Sequence, residues 1–299
     1  MIKKVLLLTA ILYGTAAWAG IEAAREAFDS GEFNNAIAEL RPLAEAGDAD
    51  AQYWLGRSYD AMDEPDLAVE WFEKAGENDH DEAQRVLGVY YNEGKGVAQD
   101  SLAAACLFRE AAMAGNDKAQ RNLGSMFEHG IGVAMNNEQA VFWFQRAAEQ
   151  GNPKAQRNLA HLYYFGAGVP EDRAKAAELL ASAGDLGVSK AKADLGKLYY
   201  WGKGVPQNYA QAMTQFLDAA VAGDISAQYY LGRMYAAGEG IDRNDAEAYF
   251  WFELAAAAAQ DEPDPDGWRA TEWLTKLAGT LNQDEIDAAK SRARAWRAQ

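Results

Sequence analysis

The 299 residues are 49% hydrophobic and carry 45 acidic against 28 basic side chains, a formal charge of −17. That hydrophobic share excludes an intrinsically disordered chain, and the acid excess excludes nucleic acid and anionic lipid as natural partners, because like charges repel. The single cysteine excludes an intramolecular disulfide, so the fold stands on packing alone.

The chain opens with Lys3 and Lys4, an apolar run from Val5 to Tyr13 broken only by Thr9, and Ala17-Trp18-Ala19. A positive start, a short apolar run and small residues at the two positions a signal peptidase reads predict a secretory signal peptide over 1–19, cleaved after Ala19. The alternative is an uncleaved N-terminal anchor. No later stretch is apolar for long enough to span a bilayer, so no transmembrane segment is expected in the mature chain. Export follows as the expectation, with the periplasm as the first destination and secretion as the second. Residues 20–46 read as a capping helix pair with Phe28, Phe33, Ala36, Ile37, Leu40 and Leu43 apolar.

From there the sequence repeats. Leu-Gly recurs at Leu55-Gly56, Leu87-Gly88, Leu123-Gly124, Leu195-Gly196 and Leu231-Gly232, with Leu159-Ala160 in the middle slot and a step of 36 residues from Leu87 on. Four residues before each Leu stands an alanine (Ala51, Ala83, Ala119, Ala155, Ala191, Ala227), and four after it an aromatic (Tyr59, Tyr91, Phe127, Tyr163, Tyr199, Tyr235). Spacing of i, i+4, i+8 is one stripe of a helix. The glycine after the leucine is a poor helix former, so its recurrence predicts a place where a neighbouring helix crosses closely. A second helix in each unit carries Ala68/Phe72, Ala104/Phe108, Ala140/Phe144, Ala176/Leu180, Ala212/Phe216 and Ala248/Phe252. Asp100, Asn136, Asp172, Asn208 and Asn244 stand four residues before its alanine, as N-caps do. Gly47, Gly115, Gly151, Gly187 and Gly223 follow the pair, with Asp79 once in that slot. Between the helices runs Gly-x-Gly-Val/Ile, starting at Gly94, Gly130, Gly166, Gly202 and Gly238. It lacks the lysine and the preceding strand of a phosphate-binding loop. Residues 259–299 read as an acidic, proline-bearing break and two capping helices. If Gly267 is taken as the sixth position of a calcium loop, Trp273 stands where the bidentate acid belongs, so calcium is not expected.

The unit Ala-Gln-x-x-Leu-Gly-x-x-Tyr, Gly-x-Gly-Val, Ala-x-x-Trp-Phe resembles the Sel1-like repeat, a relative of the tetratricopeptide repeat. The resemblance covers roughly 47–258. It comprises a first copy over 47–78, whose short Asp63-Glu64-Pro65-Asp66 turn is closer to a tetratricopeptide unit, and five copies over 79–258. It implies an all-α fold, a right-handed superhelical α/α solenoid of helix pairs. It also implies a scaffold or adaptor that binds a partner protein or peptide in a concave groove, as in envelope signalling. A secreted effector engaging a host protein is the alternative. By analogy with tetratricopeptide arrays, the groove positions lie two before, and two, five and six after, the central Leu. There stand Arg85, Arg121, Arg157, then Arg57, His161, Lys197, Arg233, and then Glu93, Glu128, His129, Tyr164, Phe165, Tyr200 and Trp201, with Glu93 and Glu128 as the groove acids that the arginines could pair with instead of a partner. The first two positions hold six Arg or Lys and no acid, which predicts an acidic or C-terminal segment as the partner, since guanidinium forks bind carboxylates and aromatics supply flat contact area.

No chemistry competes strongly. His80, His129 and His161 are never four apart, so no helical metal pair exists, and no nucleophile elbow is present. No cofactor is expected. A cysteine-rich branch of the same family has been labelled β-lactamase-like and carries disulfides across its helix pairs; one cysteine, Cys106, departs from that branch. Cys106 lies in the apolar stretch Leu102–Phe108 and is expected to be a buried small hydrophobe.

Overall fold

The computed structural model describes residues 19–261 and 264–297. Apart from Ala19, the predicted signal peptide lies outside the described residues. Sixteen helices and no strand occur among the described residues, in two compact units that divide after Gln150. The first unit holds α1 (19–29), α2 (Phe33–Glu45), α3 (Ala49–Ala61), α4 (Pro65–Glu77), α5 (Asp81–Glu93), α6 (Ser101–Ala114), α7 (Asp117–His129) and α8 (Asn137–Glu149). The second holds α9 (Pro153–Phe165), α10 (Arg173–Asp185), α11 (Ser189–Trp201), α12 (Tyr209–Val221), α13 (Ile225–Ala237), α14 (Asp245–Asp261), α15 (Pro265–Leu277) and α16 (Gln283–Arg297). Within the units successive helices pack on one another from α2 to α8 and from α9 to α15, α16 packs on α14, and the repeat pairs α3/α4, α5/α6, α7/α8, α9/α10, α11/α12 and α13/α14 pack most extensively. This is the all-α repeat fold that the 36-residue step predicts.

The repeated columns explain each joint. Asp100, Asn136, Asp172, Asn208 and Asn244 accept first-turn amides of the second helices, as N-caps. The first helices are capped by Asp48, His80, Asn116, Asn152 and Asp224. Asp79, in the slot glycine fills elsewhere, adopts φ 60°, the left-handed conformation that ends the preceding helix. The glycine after the central leucine is a contact. A Cβ on Gly56, Gly88, Gly124, Gly196 or Gly232 would lie 2.6–2.8 Å from the ring of Phe72, Phe108, Phe144, Phe216 or Phe252. The second glycine of the Gly-x-Gly loop does more than turn the chain. A Cβ on Gly132 would lie 2.0 Å from the Ser101 carbonyl, and one on Gly204 would lie 2.3 Å from that of Arg173, each at the start of the previous pair's second helix.

The motif glutamine joins successive pairs. Gln52, Gln84, Gln120 and Gln228 are buried and donate from Nε2 to the carbonyls of Ala44, Gly76, Ala112 and Ala220, the last turn of the helix before, at 3.0–3.3 Å. Each satisfies an end-of-helix carbonyl that burial would otherwise leave unpaired. At the chain's end, α15 and α16 cover α14. Trp273 stacks on Phe252 at 5.5 Å, Trp296 meets Phe250 and Trp251 edge-on, and Ile286, Ala289 and Ala293 are buried. In the segment weighed for calcium, Asp264 caps α15, while Asp266 accepts from Ser226 and Arg269.

Cys106 corrects its expectation, because it is exposed. The core face of α6 is Ala104, Ala105, Phe108, Ala111 and Ala112. Cys106 falls on the opposite stripe with exposed Leu102 and Met113, so an apolar stretch concealed two apolar faces of which only one is covered. Native protein is therefore expected to give one equivalent of thiol to an aromatic disulfide reagent without denaturant. Labelling only after unfolding would contradict this placement.

Candidate functional site

The cations read as groove residues are all half-buried, and each is engaged. In the first unit, Arg57 lies over the rings of Phe28, Tyr53 and Trp54 at 5.5–5.9 Å. Arg85 forks onto Glu82 through Nε and Nη2, both at 2.9 Å. Burial alone would raise the Glu82 carboxyl; the bonds from Arg85 and Asn116 outweigh it and hold the group below its ordinary value. Burial, and after it the like charge of Arg85, lowers the Arg121 guanidinium, which also hydrogen-bonds Asn122. Two steps of the arginine ladder therefore do stand side by side, with the first already held by a carboxylate five residues before the central leucine.

The second unit concentrates the rest. Asp194, on α11, has a side chain 18% exposed and accepts from Arg157 Nε at 2.8 Å and His161 Nε2 at 3.0 Å, with Lys197 Nζ 3.7 Å away. Burial alone would raise this carboxyl. The His161 hydrogen bond and the charges of Arg157 and Lys197 outweigh it and hold the Asp194 carboxyl below its ordinary value. Sequence reasoning missed Asp194, because the positions searched skip the residue before the leucine. The column held the signal: Trp54, Val86, Asn122, Asn158 and Tyr230 fill that slot elsewhere, and only here is it an acid.

Beside this cluster lies a cavity of about 270 Å³, lined by the buried Ala160, Leu180 and Leu198 and by His161, Tyr164, Phe165, Asp194, Lys197, Trp201 and Lys203. Five of the residues expected in the groove thus meet in one place. Phe165 and Trp201, the last residues of α9 and α11, are 72% and 46% exposed. Tyr164 lies under the Arg173 guanidinium at 5.1 Å and meets Phe165 edge-on. Tyr200 is a correction. Its ring is 1% exposed, enclosed by Tyr209, Phe216 and Tyr230, and its hydroxyl donates to Glu239, so it offers no surface. Arg233 lies over Tyr200, Trp201 and Tyr230 at 5.5–5.7 Å and braces the exposed tryptophan.

A family model for the Sel1 repeat matches residues 49–80, 81–116, 117–152, 153–188, 189–214 and 225–259, more than half of the chain. The chain belongs to the Sel1 repeat family. Among solved structures, it is similar to c5321 of uropathogenic Escherichia coli, a protective antigen with the Sel1-like fold. The identity is 27% and the TM-score 0.79, over 97% of this chain but 63% of that one, so it spans less than two thirds of that protein's length. It is also similar to a Sel1 repeat protein from Oxalobacter formigenes, at 28% identity and a TM-score of 0.73, over 80% of this chain and 99% of that one. No curated protein matches the chain. Sel1 repeat proteins typically mediate protein–protein interaction, and their repeat fold is typically a non-enzymatic binding scaffold. The described helices fit that role: the positions that recur from repeat to repeat are used in packing and capping, and what remains at the site is aromatic surface, cations and one carboxylate. No helix among the described residues is long and apolar enough to cross a membrane.

Proposed function

We propose that this Sel1 repeat protein is an exported scaffold that holds a partner protein on the second unit, across the aromatic and cationic face of α9 and α11. The observation that carries the reading is that two exposed aromatics, Phe165 and Trp201, both line the cavity. Large aromatics braced by neighbours and open to solvent lose little on ordering and bury much area when covered, as anchor residues of interfaces do. Local charge supports an acidic partner segment: among the residues that line the cavity, Lys197 and Lys203 stand against Asp194 alone, in a chain of charge −17. The start of the sequence supports export to the cell envelope, where such a scaffold would act in signalling or regulation by bringing partners together.

The test is affinity capture from envelope extract on residues 20–299, beside a variant carrying Phe165→Asp and Trp201→Asp. Both side chains are exposed, so the fold is expected to survive. A protein retained by the parent and lost by the variant is the expected result. A protein retained equally by both would move the site elsewhere on the scaffold.

A further inference from the structure

The cavity exists where the repeat departs from its own rule. In five pairs a phenylalanine ring closes against the glycine after the central leucine. In the α9/α10 pair those two positions are Ala160 and Leu180. The added methyl group would collide with a ring in that place, and leucine is the shorter side chain that fits beside it. Both Ala160 and Leu180 line the 270 Å³ space. A cavity of about 150 Å³ suffices for a benzene ring, so this one has room for a large apolar side chain.

Its rim has a definite charge. The one carboxylate, Asp194, is already taken by Arg157, His161 and Lys197. Lys203 lines the cavity, is exposed, and has no ion pair among the described residues. An apolar floor and a spare ammonium therefore share one cavity the size of a single residue. A carboxy-terminal apolar residue satisfies both at once, because its side chain and its α-carboxylate stand on one residue, whereas an internal segment needs two side chains to do the same.

From this we infer that the cavity receives the carboxy-terminal residue of the partner: its apolar side chain on Ala160, Leu180 and Leu198, its α-carboxylate at Lys203 and Lys197, and the residues before it across Phe165 and Trp201. The inference rests on the scaffold reading above and names what its site takes.

The test uses the full mature chain and two fluorescein-labelled decapeptides of one sequence ending in phenylalanine, one with a free carboxylate and one amidated, read by fluorescence polarisation. The free acid is expected to bind at least about tenfold more tightly than the amide, a difference of about 1.4 kcal/mol. Lys203→Ala, at an exposed position, is expected to weaken that preference, with Lys197 left in place, while leaving binding of the amide unaffected. The double variant Ala160→Gly with Leu180→Phe restores the arrangement of the other five pairs and fills the cavity. It is expected to lower binding of both peptides at least about tenfold, with the melting temperature unchanged or raised. Equal binding of acid and amide, undiminished binding to the filled variant, or no binding of the free acid at millimolar concentration would each overturn the inference. If a captured partner is lost by the Phe165/Trp201 variant but kept by the filled one, the scaffold reading stands and this one fails.

Discussion

Gly124→Ala is expected to destabilise the first unit by about 2 kcal/mol, although alanine is the better helix former by about 1 kcal/mol. The new methyl group would sit 2.7 Å from two ring carbons of Phe144, a buried side chain in a close-packed layer that cannot step aside. Overlap therefore outweighs propensity. Phe144→Leu alone is expected to cost about 1–2 kcal/mol, by leaving a gap beside Gly124. The two changes together copy the pair Ala160/Leu180 that the chain already uses, so the double variant is expected to lose at least about 1 kcal/mol less than the sum. Urea unfolding of the four proteins in the cycle measures the coupling. Strict additivity would contradict the claim that glycine and ring are matched.

The second large effect concerns Asp194→Asn. At neutral pH this leaves Arg157, His161 and Lys197 around a neutral amide, at an expected cost of about 2 kcal/mol, because partners of a largely buried carboxylate lose their counter-charge. The pH dependence has a definite sign. The native carboxyl is held below its ordinary value, about 3.9 when unfolded, so the folded state binds the proton less readily than the unfolded one. Its stabilisation is complete above that ordinary value and is lost as pH falls through the lower native one. The stability gap between parent and variant is therefore expected to be constant from neutral pH down to the upper end of that window and to close below it. A gap unchanged down to the acid limit of folding would show that Asp194 acts by shape and not by charge.

The fold was legible because packing positions recur. A leucine with glycine behind it, alanine and aromatic one turn either side, and an N-cap at a fixed offset can each be read without knowing the neighbours. The site was half legible. Phe165 and Trp201 stand at a position six past the leucine that faces solvent in both pairs, and counting along a helix finds it. Tyr200, one residue earlier, was placed in the groove by the same count, but Tyr209, Phe216 and Tyr230 close over it, and that depends on side chains from two other helices, α12 and α13. The cationic positions were found and their partners were not, since Glu82 and Asp194 reach them from offsets outside the groove columns. The Ala160/Leu180 break was visible in the columns. Its meaning needed the ring-to-glycine contact of the other pairs, which is a distance and not a residue type.

Site-specific photo-crosslinking tests the location of the binding face most directly. A benzophenone amino acid would replace Phe165 in one version of the chain and Met113 in another; both positions are 72% exposed, one at the candidate site and one on the outer face of α6. After irradiation in intact cells of the host, a discrete adduct from position 165 and none from position 113 is the result this account requires. An adduct from 113 with nothing from 165 would contradict it, and would place the partner on the outer helices instead.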